Sequence, residues 1–260
     1  ELRGYDNIIQ AFSGFMAMTG DDPAKPFKCG APIMDYAAGT TTAYAIAAAL
    51  LARERNAGAG VAIDVSMLDV AMMFATSHAA AYFWSGKAPG MKGNTYPFAT
   101  IGMYHASDAP MMVSASNLRQ QKRLWAFLGR PDMIKPGNNE RLDGYEEEAA
   151  VLRTAFLGKP ADYWEKALQD QGIPCARIRR FDEAVNDPHL ASRGVFHRFD
   201  GEPGTIAGMA TTLAGFTMSQ AGPSLHTPPQ PVGAQTDQIL TSLGYQASEI
   251  TGLRARGIIA

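Results

Sequence analysis

Thiol chemistry is nearly absent from this sequence. Its 260 residues hold two cysteines, Cys29 and Cys175. Two thiols exclude a disulfide framework and a four-cysteine zinc site, and a reduced cytoplasmic setting is the simpler expectation. Charge is scarce as well: Asp, Glu, Lys and Arg make up 18% of the chain, against roughly 25% in ordinary soluble domains. That deficit leans toward surface buried against another subunit. The charges nearly cancel, 23 Lys and Arg against 25 Asp and Glu for a net of −2, so neither nucleic acid nor membrane is expected as a partner. Long apolar runs are missing too. The longest uncharged stretch, Tyr36–Ala52, is mostly Ala, Thr and Gly and falls short of the ~20 residues of a membrane span. The opening Glu1-Leu2-Arg3-Gly4-Tyr5-Asp6 has no signal-peptide core and no Met, as expected of a chain that begins mid-protein.

Apolar residues, by contrast, supply 46% of the chain, enough for a substantial core. An apolar segment at Ile8–Met18, punctuated by Gly14, leads through two turn-rich stretches to Asp35. A helix is predicted over Tyr36–Arg55, with Asp35 as N-cap and Asn56-Ala57-Gly58 as its stop. Val61–Val65 alternates like a strand, and Met67–Trp84 reads as one long helix with Leu68, Ala71, Met72, Ala75, Ala79 and Tyr82 on its apolar face. Three Gly and two Pro between Gly86 and Pro97 mark a linker. Beyond it, strands are predicted at Thr100–Tyr104 and Pro110–Ser114, then helices over Asn117–Leu128, Asp143–Leu157 and Pro160–Gln171. A strand at Cys175–Arg180 and two short helices about Asp187-Pro188 follow. Val195–Met218 reads as β, with turns at Gly201, Gly204, Gly208 and Gly215, before a Pro-rich crossing and closing helices at Thr236–Leu243 and Ser248–Arg256.

Several chemistries have no foothold. No G-x-S-x-G elbow and no P-loop occurs, and Gly58-Ala59-Gly60 precedes a strand instead of following one, so it reads as a turn. The five histidines are scattered without ligand spacing, and no metal is expected. His78, among alanines, reads as a packing residue, and Cys175 as a buried structural thiol. Arg119, Lys122, Arg123 and Arg130 form a solvated basic helix face. Asp35 is the informative acid. Small residues flank it, and the helix end favours its ionised form. On the residues alone two roles stand open: a helix cap, or a nucleophile toward activated acyl groups.

The blocks Gly4-Tyr5-Asp6, Gln10-Ala11-Phe12-Ser13-Gly14, Thr19-Gly20, Gly30 and Asp35-x-x-x-Gly39 resemble the signature stretch of the family III CoA-transferases, relatives of the α-methylacyl-CoA racemases. The resemblance continues through Ala48-Ala49-Leu50, Arg53, Gly58-x-Gly60 and Asp64-Val65-Ser66-Met67. It returns at Leu128–Asp132, Trp164-x-x-x-Leu168, Gly172-Ile173-Pro174-Cys175, Asp187-Pro188, Gly233, Thr236-Asp237 and Leu243-Gly244. Blocks in family order along the whole chain are specific where one alone is weak.

The resemblance implies an α/β fold: the later part of a Rossmann-like large domain over residues 1–91, an α+β small domain over 92–193, and a C-terminal return over 194–260. It implies CoA transfer between an acyl-CoA and a carboxylic acid, with Asp35 as nucleophile, Arg3 and Tyr5 lining the site of coenzyme A, and CoA entering as the acyl-CoA co-substrate. It also implies an interlocked homodimer, or association with a chain supplying the N-terminal half of the family fold. The racemases carry Gly-His-Asp where this chain has Gly4-Tyr5-Asp6, and a phenol of pKa ~10 replaces an imidazole poorly at neutral pH. Transferase is therefore favoured over racemase, and a non-catalytic subunit completing a partner's site stands as a second alternative. Two departures stand out. Gly233-Ala234-Gln235-Thr236 replaces the family's Gly-Glu-His-Thr, and no glycine-rich loop lies between Thr95 and Ser107, which weakens oxalate as the acid.

Overall fold

A computed structural model describes residues 3–56, 58–202 and 205–259. The chain divides into two compact units, Glu1–Ile178 and Arg179–Ala260. In the first, α1 (Asp6–Phe12) and α2 (Phe15–Met18) are separated by Gly14, whose φ of 86° lies in the left-handed region that glycine enters without strain. A long helix, α3 (Ile33–Arg55), follows, then α4 (Met67–Phe74) and α5 (Thr76–Ser85).

The α3 helix starts three residues earlier than its composition predicts, so Asp35 is not its N-cap. Pro32 holds that position, and the capping acceptor arrives from Asp6 in α1. At the other end, Asn56 and Gly58 donate to Ala52 and Arg53 carbonyls, as the expected stop requires. Ala57, like Gly204 among the predicted turns, lies outside the described residues. Met34 is the one buried residue of α3, while Tyr36, Tyr44, Ile46, Leu50 and Leu51 are exposed.

Two further expectations fail here. Residues 61–65 form no strand, because a strand needs a ladder neighbour and none pairs with it among the described residues. The single helix over Met67–Trp84 is two: Ala75, at ψ 12°, leaves helical geometry, and the Thr76 hydroxyl donates to the Met73 carbonyl at 2.5 Å. Gly86, at φ 68°, ends α5 in the left-handed region.

The core of this unit is built on a three-stranded antiparallel sheet of β1 (Ile101–His105), β2 (Pro110–Ser114) and β3 (Cys175–Arg177), in that order. Tyr104 pairs with Met111, and Val113 with Cys175, so these side chains share one buried face. Three amphipathic helices contribute to the same core: α6 (Leu118–Phe127) brings Leu124 and Trp125, α8 (Tyr145–Phe156) Leu152 and Phe156, and α9 (Ala161–Asp170) Trp164 and Leu168. Edge-to-face rings join Tyr104, Phe156 and Trp164 at 5.2 and 5.1 Å between centroids. The predicted helix Asp143–Leu157 is α8 itself, and a short helix that was not predicted, α7 (Asn138–Asp143), ends at Gly144 just before it. Pro160 caps α9 from outside instead of entering its first turn.

The second unit contains α10 (Phe181–Val185), α11 (Pro188–Ser192), the antiparallel strands β4 (Phe196–Arg198) and β5 (Ala210–Thr212), α12 (Thr236–Ser242) and α13 (Ala247–Ala255). Two short helices flank Asp187-Pro188 as predicted; Asp187 caps α11 through the His189 amide at 2.8 Å, and Pro188 takes the first helical position. The β reading of Val195–Met218 shrinks to two three-residue strands. Between them the backbone bonds to itself, as in Thr205 and Gly208 amides to Glu202 and Thr205 carbonyls. No described helix is long and apolar enough to cross a membrane.

Candidate active site

The first turn of α3 must satisfy four N–H groups. Ile33 donates to the Ala31 carbonyl at 2.9 Å, and Tyr36 to Pro32 at 3.2 Å. The Met34 and Asp35 amides, at the second and third helical positions, are those an N-cap side chain would serve. Both turn to one oxygen of Asp6, Oδ2, at 2.7 and 3.4 Å. Asp6 is buried at 8% exposure, and its other oxygen, Oδ1, accepts from Gln10 Nε2 at 2.5 Å. Gln10, 1% exposed, uses its Oε1 to accept the Cys29 amide at 2.9 Å.

Asp35 is thereby left with no capping duty. Its side chain is exposed, and no hydrogen bond or ion pair engages its carboxylate among the described residues. A Cβ built on Gly30 or Gly39 would meet nothing within 4 Å, so the backbone on both sides is open to close approach. An exposed carboxylate at the end of a 23-residue helix, with open backbone beside it, is sterically available to an electrophile.

Tyr5 occupies the N-cap position of α1, and its side chain is 80% exposed. Because its neighbour Asp6 bonds the first turn of α3, the segment bearing Tyr5 is held at the helix end that carries Asp35. Arg3 lines a cleft of about 410 Å³ with Gly4, Ile8, Ile9, Phe12, Ser66, Met67 and Leu68. One stripe of α1, Asp6 and Gln10, thus binds the start of α3 and the segment before it, while another, Ile8 and Phe12, faces this cleft. No described hydrogen bond or ion pair joins the side chain of Arg3 or Tyr5 to Asp35. The cleft combines a cation with apolar walls.

Asp6 and Gln10 carried no assigned role in the sequence, although both lie in the blocks that identify the family. Their i, i+4 spacing, an acid followed by an amide, was the available signal. Other expectations resolve simply. Cys175 is buried, and burial pushes its thiol up to about 12, the inert state expected of it. His78 is exposed on α5 instead of packed. Arg130 lies beyond the end of α6 and so leaves the predicted basic helix face, pairing with Asp132 at 2.7 Å, while Arg123 on α6 reaches the Gln171 carbonyl at 3.3 Å. No group of three or more potential metal ligands occurs among the described residues.

Comparison with known proteins identifies the family. A model of CoA-transferase family III matches residues 1–236. The acetyl-CoA:oxalate CoA-transferase of Acetobacter aceti is 32% identical over 203 residues, 76% of this chain and 52% of that protein. The succinate–glutarate CoA-transferase of Agrobacterium fabrum is 29% identical over 254 residues, 94% of this chain and 61% of that one. A crystal structure of a CAIB/BAIF family protein from Brucella suis superposes with a TM-score of 0.77 at 25% identity, covering 94% of this chain and 64% of that chain. The chain therefore spans between half and two thirds of the length of these relatives.

Proposed function

We propose, from the premise that this chain belongs to CoA-transferase family III, that it moves CoA between an acyl-CoA thioester and a carboxylic acid with Asp35 as the nucleophile. The observation that carries the reading is the exposed, unpartnered Asp35 carboxylate in the first turn of α3, with the capping of that turn delegated to Asp6. Had Asp35 been tied to its own helix end, the cap alone would explain it.

The chemistry proceeds through two kinds of acyl exchange. An Asp35 oxygen attacks the thioester carbonyl of the donor. The new C–O bond forms as the C–S bond breaks, leaving a mixed anhydride and CoA thiolate. The thiolate then attacks the aspartyl carbonyl, expels the donor acid as its carboxylate, and leaves an aspartyl-CoA thioester. An acceptor carboxylate attacks that thioester and frees the thiolate again. Attack of the thiolate on the acceptor's acyl carbon yields the new acyl-CoA and restores Asp35. No water, oxidant or net proton is consumed, and the thioester energy is retained. Backbone N–H groups about Gly30, or in the first turn after Asp35, are the candidate donors to the developing oxyanions.

Arg3 and Tyr5 line the site of CoA in this reading, Arg3 from the cleft beside α1, where a guanidinium suits a phosphate. The named activities of the relatives from Acetobacter and Agrobacterium support an acyl-CoA donor and a small carboxylic acid as acceptor. The division into residues 1–91, 92–193 and 194–260 belongs to the same proposal. So does a homodimer, or a chain supplying the N-terminal half of the fold. The unpaired segment 61–65 and the exposed apolar side chains of α3 support such a covering.

Acyl-CoA and hydroxylamine test the covalent route: an aspartyl hydroxamate is expected on the peptide containing Asp35, and an unmodified peptide would count against it. Asp35→Ala in the assembled protein is expected to abolish exchange. Incorporation of α-deuterium from deuterated water into a 2-methylacyl-CoA, without any acceptor acid, would instead favour a racemase.

A further inference from the structure

We propose that Asp6 and Gln10 form a positioning relay for Asp35, acting on the reaction rate through the backbone of α3. This inference rests on the nucleophilic role of Asp35. The relay runs in one unbroken line: Cys29 N–H to Gln10 Oε1 at 2.9 Å, Gln10 Nε2–H to Asp6 Oδ1 at 2.5 Å, and Asp6 Oδ2 to the Met34 and Asp35 amides at 2.7 and 3.4 Å. Two side chains of α1 therefore fasten both ends of the segment 29–35, which makes few other fixed contacts and includes the open Gly30.

Three physical consequences follow. The first concerns the side chain itself. An acidic residue in the first turn of a helix tends to fold back onto the unpaired N–H groups there. Asp6 already occupies those donors, so the Asp35 carboxylate has no local bond to break before it attacks. The second concerns geometry. The Asp35 amide is itself a member of the relay, so the Cα from which the nucleophile projects is set by α1 and not by the loop before it. The third concerns register. Gln10 is satisfied in one orientation only, oxygen toward Cys29 and nitrogen toward Asp6. Both relay side chains are buried, so bulk water does not readily substitute for a missing member.

The orientation of the relay supplies its own test. In Asp6→Asn, the amide oxygen can still accept from Met34, but its nitrogen then faces the Gln10 nitrogen, donor against donor. Adding Gln10→Glu reverses the inner bond. The introduced amide at position 6 then donates to one oxygen of the introduced carboxylate at position 10, whose other oxygen accepts the Cys29 amide. The double exchange keeps size and total charge. Displacing a nucleophile by about 1 Å can cost on the order of 100-fold in rate, so a drop in kcat of roughly 10- to 100-fold is expected for D6N.

The full-length protein should be assayed for kcat, for the KM of acyl-CoA, and for the rate and stoichiometry of hydroxylamine trapping at Asp35. The expected result is that D6N lowers kcat and the trapping rate per site with KM for acyl-CoA unchanged, and that D6N/Q10E recovers most of the loss. D6N with wild-type kcat would overturn the relay. So would D6N that reduces only the number of trappable sites, since that marks a purely structural role. Failure of D6N/Q10E to recover the rate would also overturn it. Gln10→Ala, which leaves the Asp6 cap in place, guards against a poorly folded D6N; its kcat should fall at constant KM, and wild-type kcat there would count against the relay. The wild-type trapping experiment separates this inference from the one beneath it. No hydroxamate on wild-type Asp35 means that the nucleophile reading is wrong. A wild-type hydroxamate with unaffected D6N means that only the relay is wrong.

Discussion

Glu148, on the inward face of α8, is fully buried, and neither of its carboxylate oxygens has a hydrogen-bond partner among the described residues. Burial pushes its carboxyl from the ordinary 4.5 up to about 7, against the pull of Lys135 and Arg141 and with a smaller push from Glu147. Tyr104, hydrogen-bonded to the Ala99 carbonyl, feels the same carboxyl from β1. In the unfolded chain the group returns to its ordinary value, so the native state binds the proton more tightly. The native state is therefore stabilised by that proton fully below pH 4.5, and loses the stabilisation as pH rises through about 7. At ~1.4 kcal/mol per tenfold change in proton affinity, the rise from 4.5 to about 7 amounts to about 3 kcal/mol. Glu148→Gln removes the titration while keeping the shape. Urea unfolding followed by tryptophan fluorescence reads the relevant core, since Trp125 and Trp164 are buried in it while Trp84 is exposed. The stability of wild type minus that of E148Q should fall by about 3 kcal/mol between pH 4.5 and 8, because the other titrating groups cancel in the difference. A difference that stays flat across that range would refute the reasoning.

Thiol titration should find one fast-reacting cysteine in the native protein and two in denaturant, because Cys29 is partly exposed whereas Cys175 is buried with its thiol at about 12. Fast modification of Cys175 under native conditions would contradict the packing of β3. Trp164→Phe should destabilise the protein by about 1–3 kcal/mol in the same urea assay, because the indole N–H donates to the Phe156 and Lys159 carbonyls at 2.8 and 3.1 Å. An unchanged midpoint would mean that those carbonyls find other donors.

Relatives of known activity agree with the transferase reading of the motifs, but the role of each residue differs in how it could be known. Asp35 could be singled out, and its role proposed, because it stands in a block with fixed internal spacing, Asp35-x-x-x-Gly39. Its availability was not. From local rules an Asp at the mouth of an apolar-to-helix transition reads as a cap, and the structure moves the cap to Pro32 with Asp6 as acceptor. That acceptor lies 28 residues away along the chain, beyond the range of any capping rule.

Interactions spanning a few residues are written into the local order of side chains, and here the sequence alone determined the helices around Asn117 and Asp187-Pro188, the stops at Gly58 and Gly86, and the strand Pro110–Ser114. Tertiary packing decided the rest: that residues 61–65 find no ladder neighbour, and that Asp6 rather than Asp35 serves the α3 amides. The physical reason is one of distance along the chain. A hydrogen bond between remote segments exists only once folding has brought them within about 3 Å, and no local propensity encodes that approach.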